Sequence, residues 1–412
     1  MVIAMSGATT GKLGFNYTDE AFYLNQRVGK ISPFICYSRF LYYPLTTKIQ
    51  ENLAKSMGSA IPNLSTAQIK DIVLALPPLA EQHRIVAKVD DLMALCDQLE
   101  QQQTDHLAAH QTLVQTLLDT LTQAADAAEF ERAWNRIADH FDNLFTAETS
   151  IDQLKQTLLQ LAVMGKLVPQ NHNGESARLF LENIFKEKKK LVDRGIIRTQ
   201  KAFSQIEAAE KPQNIPVSWE LSRLGEFTIV GTGSTPSRDK ASYYFPPEVN
   251  WVTSGETSQN FIFETNEKIS KIALKETNVS VYPIGTLIIA MYGQGKTRGQ
   301  VSELMIEAGT NQACAAVVCV NKEVAHRRFI KLFFMKAYEE LRSHSAGGAQ
   351  PNLNLAKISN TVIPIPPLEE QHRIVAKVDE LMALCDALKA RIAAAQTTQL
   401  QIADAIVEQA VA

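Results

Sequence analysis

The sequence predicts an α+β fold built by internal duplication, and three observations predict it. One stretch occurs twice. It reads PPLAEQHRIVAKVDDLMALCDQLE over residues 77–100 and PPLEEQHRIVAKVDELMALCDALK over residues 366–389. Only Ala80/Glu369, Asp91/Glu380, Gln98/Ala387 and Glu100/Lys389 differ, and near-identity over such a length marks a duplication. Each copy then carries a helical apolar period. Finally, residues 215–365 alternate short β-rich pieces (227–230, 287–290, 315–320, 361–365) with Gly-, Ser- and Pro-rich loops, the pattern of a mixed domain.

The repeated helices come first because their pattern is sharpest. Pro-Pro opens each, as suits a helix start. Apolar residues alternate four-three at Ile85, Val89, Leu92, Cys96 and Leu99, and again at Ile374, Val378, Leu381, Cys385 and Leu388. The alternation runs on through Gln103, His106, His110, Leu113 and Leu117 in one copy, and through Ile392, Ala395, Gln399, Ile402 and Ile406 in the other. A sustained heptad is a coiled-coil seam. Helices of roughly 40 residues are roughly 60 Å long, too long to bury a seam alone, so each copy is the economical partner of the other.

The duplication extends upstream. Val2-Ile-Ala-Met5 matches Ile288–Met291, Asn25-Gln26 matches Asn311-Gln312, and Ile61-Pro-Asn-Leu64 matches Gln350-Pro-Asn-Leu353. The second copy has an opening (Ile215–Gly225, Gly231–Ser237, Asn250–Ser254) that the first lacks, and the repeat register puts roughly 70 residues before Met1. A truncated first domain is therefore expected, from a misplaced start, a broken gene or a fragment supplied separately. The expected order is a truncated α+β domain (1–76), a long helix (77–121), a helical connector (122–214), a complete α+β domain (215–365) and a second long helix (366–412). In the connector, Ile151, Leu154, Leu158 and Leu161 make one helical face. Thr149 or Ser150 is the expected cap, and Gly165 and Pro169 the stop. Lys186–Lys190, with Arg194 and Arg198, reads as a solvated helix end or an interdomain loop. A further helix is expected over 327–342.

Composition narrows the class. The 412 residues are 45% hydrophobic and 21% charged with net charge −3, which excludes a polybasic coat but not a local basic surface. The five cysteines show no Cys-x-x-Cys and read as buried free thiols of a reducing compartment. No signal peptide or membrane-length apolar run is visible, so a cytoplasmic protein is expected.

Ala290-Met-Tyr-Gly-Gln-Gly-Lys-Thr297 spells a permissive P-loop after a strand. A P-loop needs a helix directly after Lys-Thr, and Arg298-Gly-Gln-Val301 is a poor helix start, so nucleotide binding stands as the alternative reading. The glycine-rich loop suits DNA better. Glycines admit a phosphate chain, Lys and Arg meet phosphate or guanine, and Gln and Asn can pair with adenine. The DNA-side candidates are Tyr292, Gln294, Lys296, Thr297, Arg298, Asn311, Gln312, Asn352, Ser254 and Lys12. His83-Arg84 and His372-Arg373, in equivalent Glu-Gln-His-Arg tetrads, lack ligand spacing and read as structural or subunit-contact residues. His106 and His110, four apart, read as a polar insertion that sets register rather than a metal pair. No catalytic constellation and no metal site is discernible. A pure coiled-coil scaffold from a decayed gene is the third reading.

The paired Pro-Pro-Leu-x-Glu-Gln-His-Arg-Ile-Val-x-Lys-Val-Asp helices, the Ile215–Gly225 opening, the Gly233–Ser237 loop, the Met291–Gly299 loop and Leu161–Pro169 together resemble the specificity subunit of type I restriction–modification systems. The resemblance covers essentially the whole chain. It implies two target-recognition domains, here with the first truncated, separated by long antiparallel helices, each domain reading one half of a bipartite DNA sequence. It implies a non-catalytic chain without its own cofactor. The expected partners are double-stranded DNA, two methyltransferase subunits carrying S-adenosylmethionine and two restriction subunits carrying ATP and Mg²⁺.

Overall fold

The computed structural model describes residues 1–18, 20–55, 64–171, 175–200, 202–212, 215–292, 297–343 and 353–411. It divides into two compact units, Met1–Ala109 and His110–Ala412.

The first unit opens with strands β1 (Val2–Ala4), β2 (Leu13–Gly14) and β3 (Val28–Lys30). They form an antiparallel sheet in the order β2-β1-β3. Helix α1 (Ser38–Lys55) closes over it, and Ile3, Leu45, Ile49 and Leu64 make a small core. Ser65 caps the short α2 (Thr66–Lys70) through a capping box with Gln68. Helix α3 (Leu79–Gln123) starts on the Pro78 carbonyl, which accepts from Glu81 and Gln82 N–H. The boundary between the units falls within α3.

The second unit begins with the end of α3, followed by α4 (Ala127–Asp139), α5 (Phe141–Leu144), α6 (Glu148–Val163) and α7 (Ala177–Asp193). The mixed domain follows: β4 (Glu220–Arg223), α8 (Leu224–Phe227), β5 (Thr228–Thr232), β6 (Val249–Val252), β7 (Phe261–Ile262), β8 (Glu267–Ile269), α9 (Lys271–Glu276) and β9 (Val281–Tyr282). It continues with β10 (Leu287–Ala290), β11 (Val301–Leu304), β12 (Ala308–Thr310), β13 (Cys314–Cys319), α10 (Val324–Ser343), α11 (Leu355–Asn360) and β14 (Val362–Ile365), and α12 (Leu368–Val411) ends the chain. The strands make a five-stranded sheet β5-β13-β10-β11-β7, a four-stranded sheet β8-β6-β12-β9 and the pair β14-β4. Leu287 and Ile289 turn one way from β10 into a core shared with Phe227, Phe334 and Ile363. Ile288 turns the other way, against Val252 and Leu304, so both faces of this strand are buried.

The duplication is geometric as well as textual. Ile3 and Ile289 are equivalent: Ile3 opposes Leu13 and Gly29, and Ile289 opposes Val301 and Ala315. Met5 N–H donates to Arg27 O at 2.8 Å, and Met291 N–H to Ala313 O at 2.8 Å. Asn25 Oδ1 accepts from Arg27 N–H at 2.9 Å, and Asn311 Oδ1 from Ala313 N–H at 3.0 Å. Gln82 donates Nε2 to Pro77 O at 2.8 Å while its Oε1 accepts from Tyr37 N–H. Gln371 donates to Pro366 O at 2.7 Å, with Oε1 3.0 Å from His326 Nδ1. Both glutamines are buried, so the repeated tetrad's second residue pins each long helix to its own mixed domain. Arg39 with Asp90, and Arg328 with Asp379, repeat an ion pair at matching helix positions.

Several local expectations are corrected. The expected cap of α6 falls inside the helix: the helix starts at Glu148 with Ala147 as N-cap, and Ser150 Oγ reaches back to the Ala147 carbonyl at 2.8 Å. Gly165 (φ +72°) does end α6, with Lys166 N–H closing on Leu161 O. The basic run 186–190 is a helix end, in the last turns of α7, and is exposed except for the half-buried Lys188. Burial lowers its pKa to about 8. Cys385 is buried against the connector helices, but its counterpart Cys96 is exposed on α3. Within the last turns of α3 the buried stripe is Val114, Leu118 and Leu121, while Leu113, an expected seam position, is 52% exposed. A straight helix drifts about 20° per heptad, so the four heptads from Ile85 to Leu113 accumulate about 80°, close to the roughly 100° of one residue step that separates Leu113 from Val114.

Helix α12 packs along α6 and α10. Ile374, Val378 and Cys385 are buried, Asp386 pairs with Lys155, and Lys389 pairs with Asp152 at 2.9 Å. Farther along α12, Ile402 and Ile406 are exposed, as are Leu92 and Leu99 of α3. Among the described residues no helix is long and apolar enough to cross a membrane.

Candidate nucleic-acid interface

Four segments of the second unit meet at one end of its two larger sheets: 232–238, 252–258, the two described ends of the β10–β11 connection (291–292 and 297–300) and 311–313. Each is tied to another by hydrogen bonds. The hairpin joining β10 to β11 is closed by Gly299 N–H to Ala290 O at 2.8 Å and by Ala290 N–H to Gln300 O at 3.0 Å. Gly299 takes φ +85°, a left-handed turn that favours glycine. Past this turn the chain enters β11, antiparallel to β10, and not a helix. The helix a phosphate-binding P-loop needs is replaced by a strand, which removes the structural basis of the nucleotide reading.

The β12–β13 turn is set by the Asn311 side chain on Ala313 N–H, and Asn311 N–H donates to Val252 O at 3.2 Å. Ser254 begins a 3₁₀ turn, Ser254–Ser258, held by the buried Glu256 carboxylate. That carboxylate accepts from Thr253 N–H at 2.6 Å and from Asn266 N–H at 2.9 Å. Thr257 Oγ1 reaches Gln300 Oε1 at 3.4 Å.

The segment after β5 is held most closely. Three aromatic residues donate to alternate carbonyls along it: Tyr282 Oη to Thr232 O at 2.9 Å, Trp251 Nε1 to Ser234 O at 3.3 Å and Tyr244 Oη to Pro236 O at 2.7 Å. Burial raises the Tyr282 pKa to about 12, so it stays a donor throughout the neutral range. Gly233 lies against the Thr310 carbonyl, where a Cβ would overlap the oxygen. Thr235 Oγ1 donates to Gln312 Oε1 at 2.6 Å. Arg238 lies over the Tyr244 and Trp251 rings and pairs with Glu267 at 2.7 Å.

Of the residues singled out from the sequence, Ser254, Tyr292, Thr297, Arg298, Asn311 and Gln312 fall on these four segments. Tyr292 and Gln312 are exposed. Arg298 is half-buried, and its Nη1 is buried without a hydrogen-bond partner among the described residues. Asn311 spends its carbonyl on the turn. Gln294, Lys296 and Asn352 lie outside the described residues. Lys12 is in the first unit and matches Gln300 rather than Lys296: Gly11, like Gly299, has φ +85°, and its N–H donates to the equivalent carbonyl, Ala4 O. Thr235 and Arg238 were not singled out. The Gly-Ser-Thr-Pro-Ser loop was the available signal for Thr235, while Arg238 is defined by Tyr244, Trp251 and Glu267, which only the fold brings around it.

The tetrad residues are placed separately. His83 is exposed and stacks on Tyr37 with ring centroids 4.2 Å apart, and Arg84 is exposed. His372 is exposed, 3.9 Å from Glu323. Arg373 donates to Pro169 O at 2.8 Å, joining α12 to the connector. His110 Nε2 lies 3.0 Å from Asn143 O. Among the described residues no cluster of three His, Cys, Asp or Glu side chains is arranged to hold a metal ion.

Comparison with known proteins gives one consistent result. The family model described as type I restriction modification DNA specificity domain matches residues 1–109 and 216–395. The EcoAI type I restriction enzyme specificity subunit of Escherichia coli is 35% identical over 367 residues, covering 82% of this chain and 58% of that protein. The EcoEI specificity subunit of Escherichia coli is 33% identical over 374 residues, covering 86% of this chain and 62% of that one. The chain thus spans about three fifths of the length of these two relatives. A solved chain from work on complex assembly and conformational transition of the type I R-M system shares the fold, with a TM-score of 0.50 at 17% identity over 91% of this chain and 71% of that one. With two matched regions that coincide with the two copies of its duplication, the chain belongs to the family of type I restriction modification DNA specificity domains.

Proposed function

We propose that this chain is the non-catalytic DNA-specificity subunit of a type I restriction–modification complex. The observation that carries the reading is the match of both copies to a DNA specificity domain, one of them bearing four interlocked loops with amide, hydroxyl and guanidinium side chains. Such groups are those that read base edges and hold phosphates. In this reading the target is a bipartite duplex sequence, and the second unit's mixed domain is the principal reader. The long helices recruit two methyltransferase and two restriction subunits. S-adenosylmethionine, ATP and Mg²⁺ belong to those subunits, which hold the catalytic sites. The complex works in the cytoplasm, where the DNA is.

A map of methylated bases in the host, with the gene intact and deleted, tests this. Loss of a two-part methylation motif on deletion is the expected result. Loss of a single half, or of its palindrome, would assign reading to the second unit alone or to a pair of chains. An unchanged map in a host that expresses the chain would reject the proposal and leave a scaffold from a decayed specificity gene.

A further inference from the structure

The loops explain how an interface could be held, but one hydrogen bond among them does more than hold. We infer that Thr235 is a positioning residue that tethers the side-chain amide of Gln312 in one place and plane and so sets the base this position prefers. The inference rests on the DNA-reading function proposed above.

An exposed glutamine amide ordinarily turns freely, presenting either its carbonyl or its NH₂ group to a ligand. Gln312 is exposed at the turn between β12 and β13, but Thr235 Oγ1 donates to its Oε1 at 2.6 Å. That bond tethers the amide, and in the arrangement present the hydroxyl donates to Oε1. It leaves Nε2, which has no hydrogen-bond partner among the described residues, and one Oε1 lone pair for a ligand. A donor beside an acceptor in a fixed plane is the pattern that pairs with the N7 and N6 edge of adenine.

Tethering of the amide is useful only if the hydroxyl is itself fixed. The segment carrying Thr235 is fixed on both sides of it. Trp251 and Tyr244 hold the Ser234 and Pro236 carbonyls, the immediate neighbours in sequence. Gly233 is seated against Thr310, just before the turn that carries Gln312. On the other partner, the Asn311 side chain closes the turn on Ala313 N–H. Both ends of the Thr235–Gln312 bond are therefore preorganised before any DNA arrives, so less ordering cost is met when the amide engages a base edge.

The test is selection from a randomised duplex library by the full chain, purified from its host with the subunits that accompany it, comparing wild type with T235V, T235S, Q312A and Q312E. The wild type is expected to enrich a motif. Q312A should reduce the preference at one position by roughly tenfold or more. T235V should relax that same position and no other, at an unchanged melting temperature, and T235S, which keeps the hydroxyl, should restore it. Q312E keeps the acceptor that Thr235 holds but replaces the donor, and should move the preference at that position towards a base that presents a donor, such as cytosine. A motif that T235V leaves unchanged, or relaxes equally at every position, would overturn the inference alone. A wild-type chain that enriches no motif would overturn the DNA-reading function and the inference with it.

Discussion

His326 has no contact with solvent, and its surroundings decide its charge. Its Nδ1 lies 3.0 Å from Gln371 Oε1, its Nε2 has no partner among the described residues, and the rings of Phe180 and Phe227 lie against it. Burial lowers its pKa to about 4. The folded state therefore holds the neutral ring, while the unfolded chain takes up a proton near the ordinary value of 6.5. Stability from this group is present above pH 6.5 and is lost as pH falls from there towards 4, by about 3 kcal/mol in all. Urea unfolding of the wild type between pH 7 and 4 should show that loss, and H326Q should flatten the slope by one proton's worth. Gly233 makes the other residue-scale prediction. Its missing side chain is a steric requirement, because the Thr310 carbonyl occupies the place of a Cβ. G233A should cost roughly 3 kcal/mol, at the upper end for overpacking, since the obstacle is backbone and cannot swing aside. A melting temperature within a degree of wild type would show that the loop yields instead.

Between elements, the joints were written in the sequence twice, and their chemistry was not. The tetrad Glu-Gln-His-Arg was visible as a repeat at the helix starts, but its His-Arg pairs were the residues that read as structural or subunit contacts. The structure gives the fixed role to the glutamines. Gln82 and Gln371 each join the Pro-Pro turn to the helix that opens over the sheet, through bonds between residues five and 45 apart. No local pattern encodes a bond at a separation of 45, and that is why it was missed. Q371L should destabilise the second unit by about 2–3 kcal/mol, because it leaves the Pro366 carbonyl and the His326 ring buried without partners. The Leu161–Pro169 segment was legible as a helix end for the same local reasons that make Gly165 a stop. Its lysine was not, because what Lys166 does is cap another helix: Nζ donates to Thr122 O at 2.7 Å and to Ala124 O at 2.9 Å, at the end of α3. K166M should cost about 1–2 kcal/mol by orphaning those carbonyls, read as a lower urea midpoint at constant m-value.

At the level of the molecule, fold class, duplication and order of elements were readable because repetition and helical period are written along the chain. The candidate interface was readable only in part. Candidates read from the sequence fell on three of its four segments, but which hydroxyl meets which amide depends on strands paired far apart in sequence. The duplication also permits a comparison that few chains offer, one strand in two settings. Ile3 and Ile289 occupy the same register position and are both fully buried. Around Ile289 the sheet has five strands and buried residues on both faces. Around Ile3 it has three, and elsewhere in the first unit Tyr17, Tyr23, Phe34 and Ile35 are each more than 80% exposed. Local stability follows buried apolar contact and protected backbone bonding, so the two amides should open at different free energies although their immediate partners match. Native-state hydrogen exchange of the full chain is expected to release the Ile3 amide roughly tenfold or more faster than that of Ile289. Equal rates in mild denaturant would mean that the two units unfold as one cooperative body, and that the smaller sheet draws its stability from the long helix rather than from its own core.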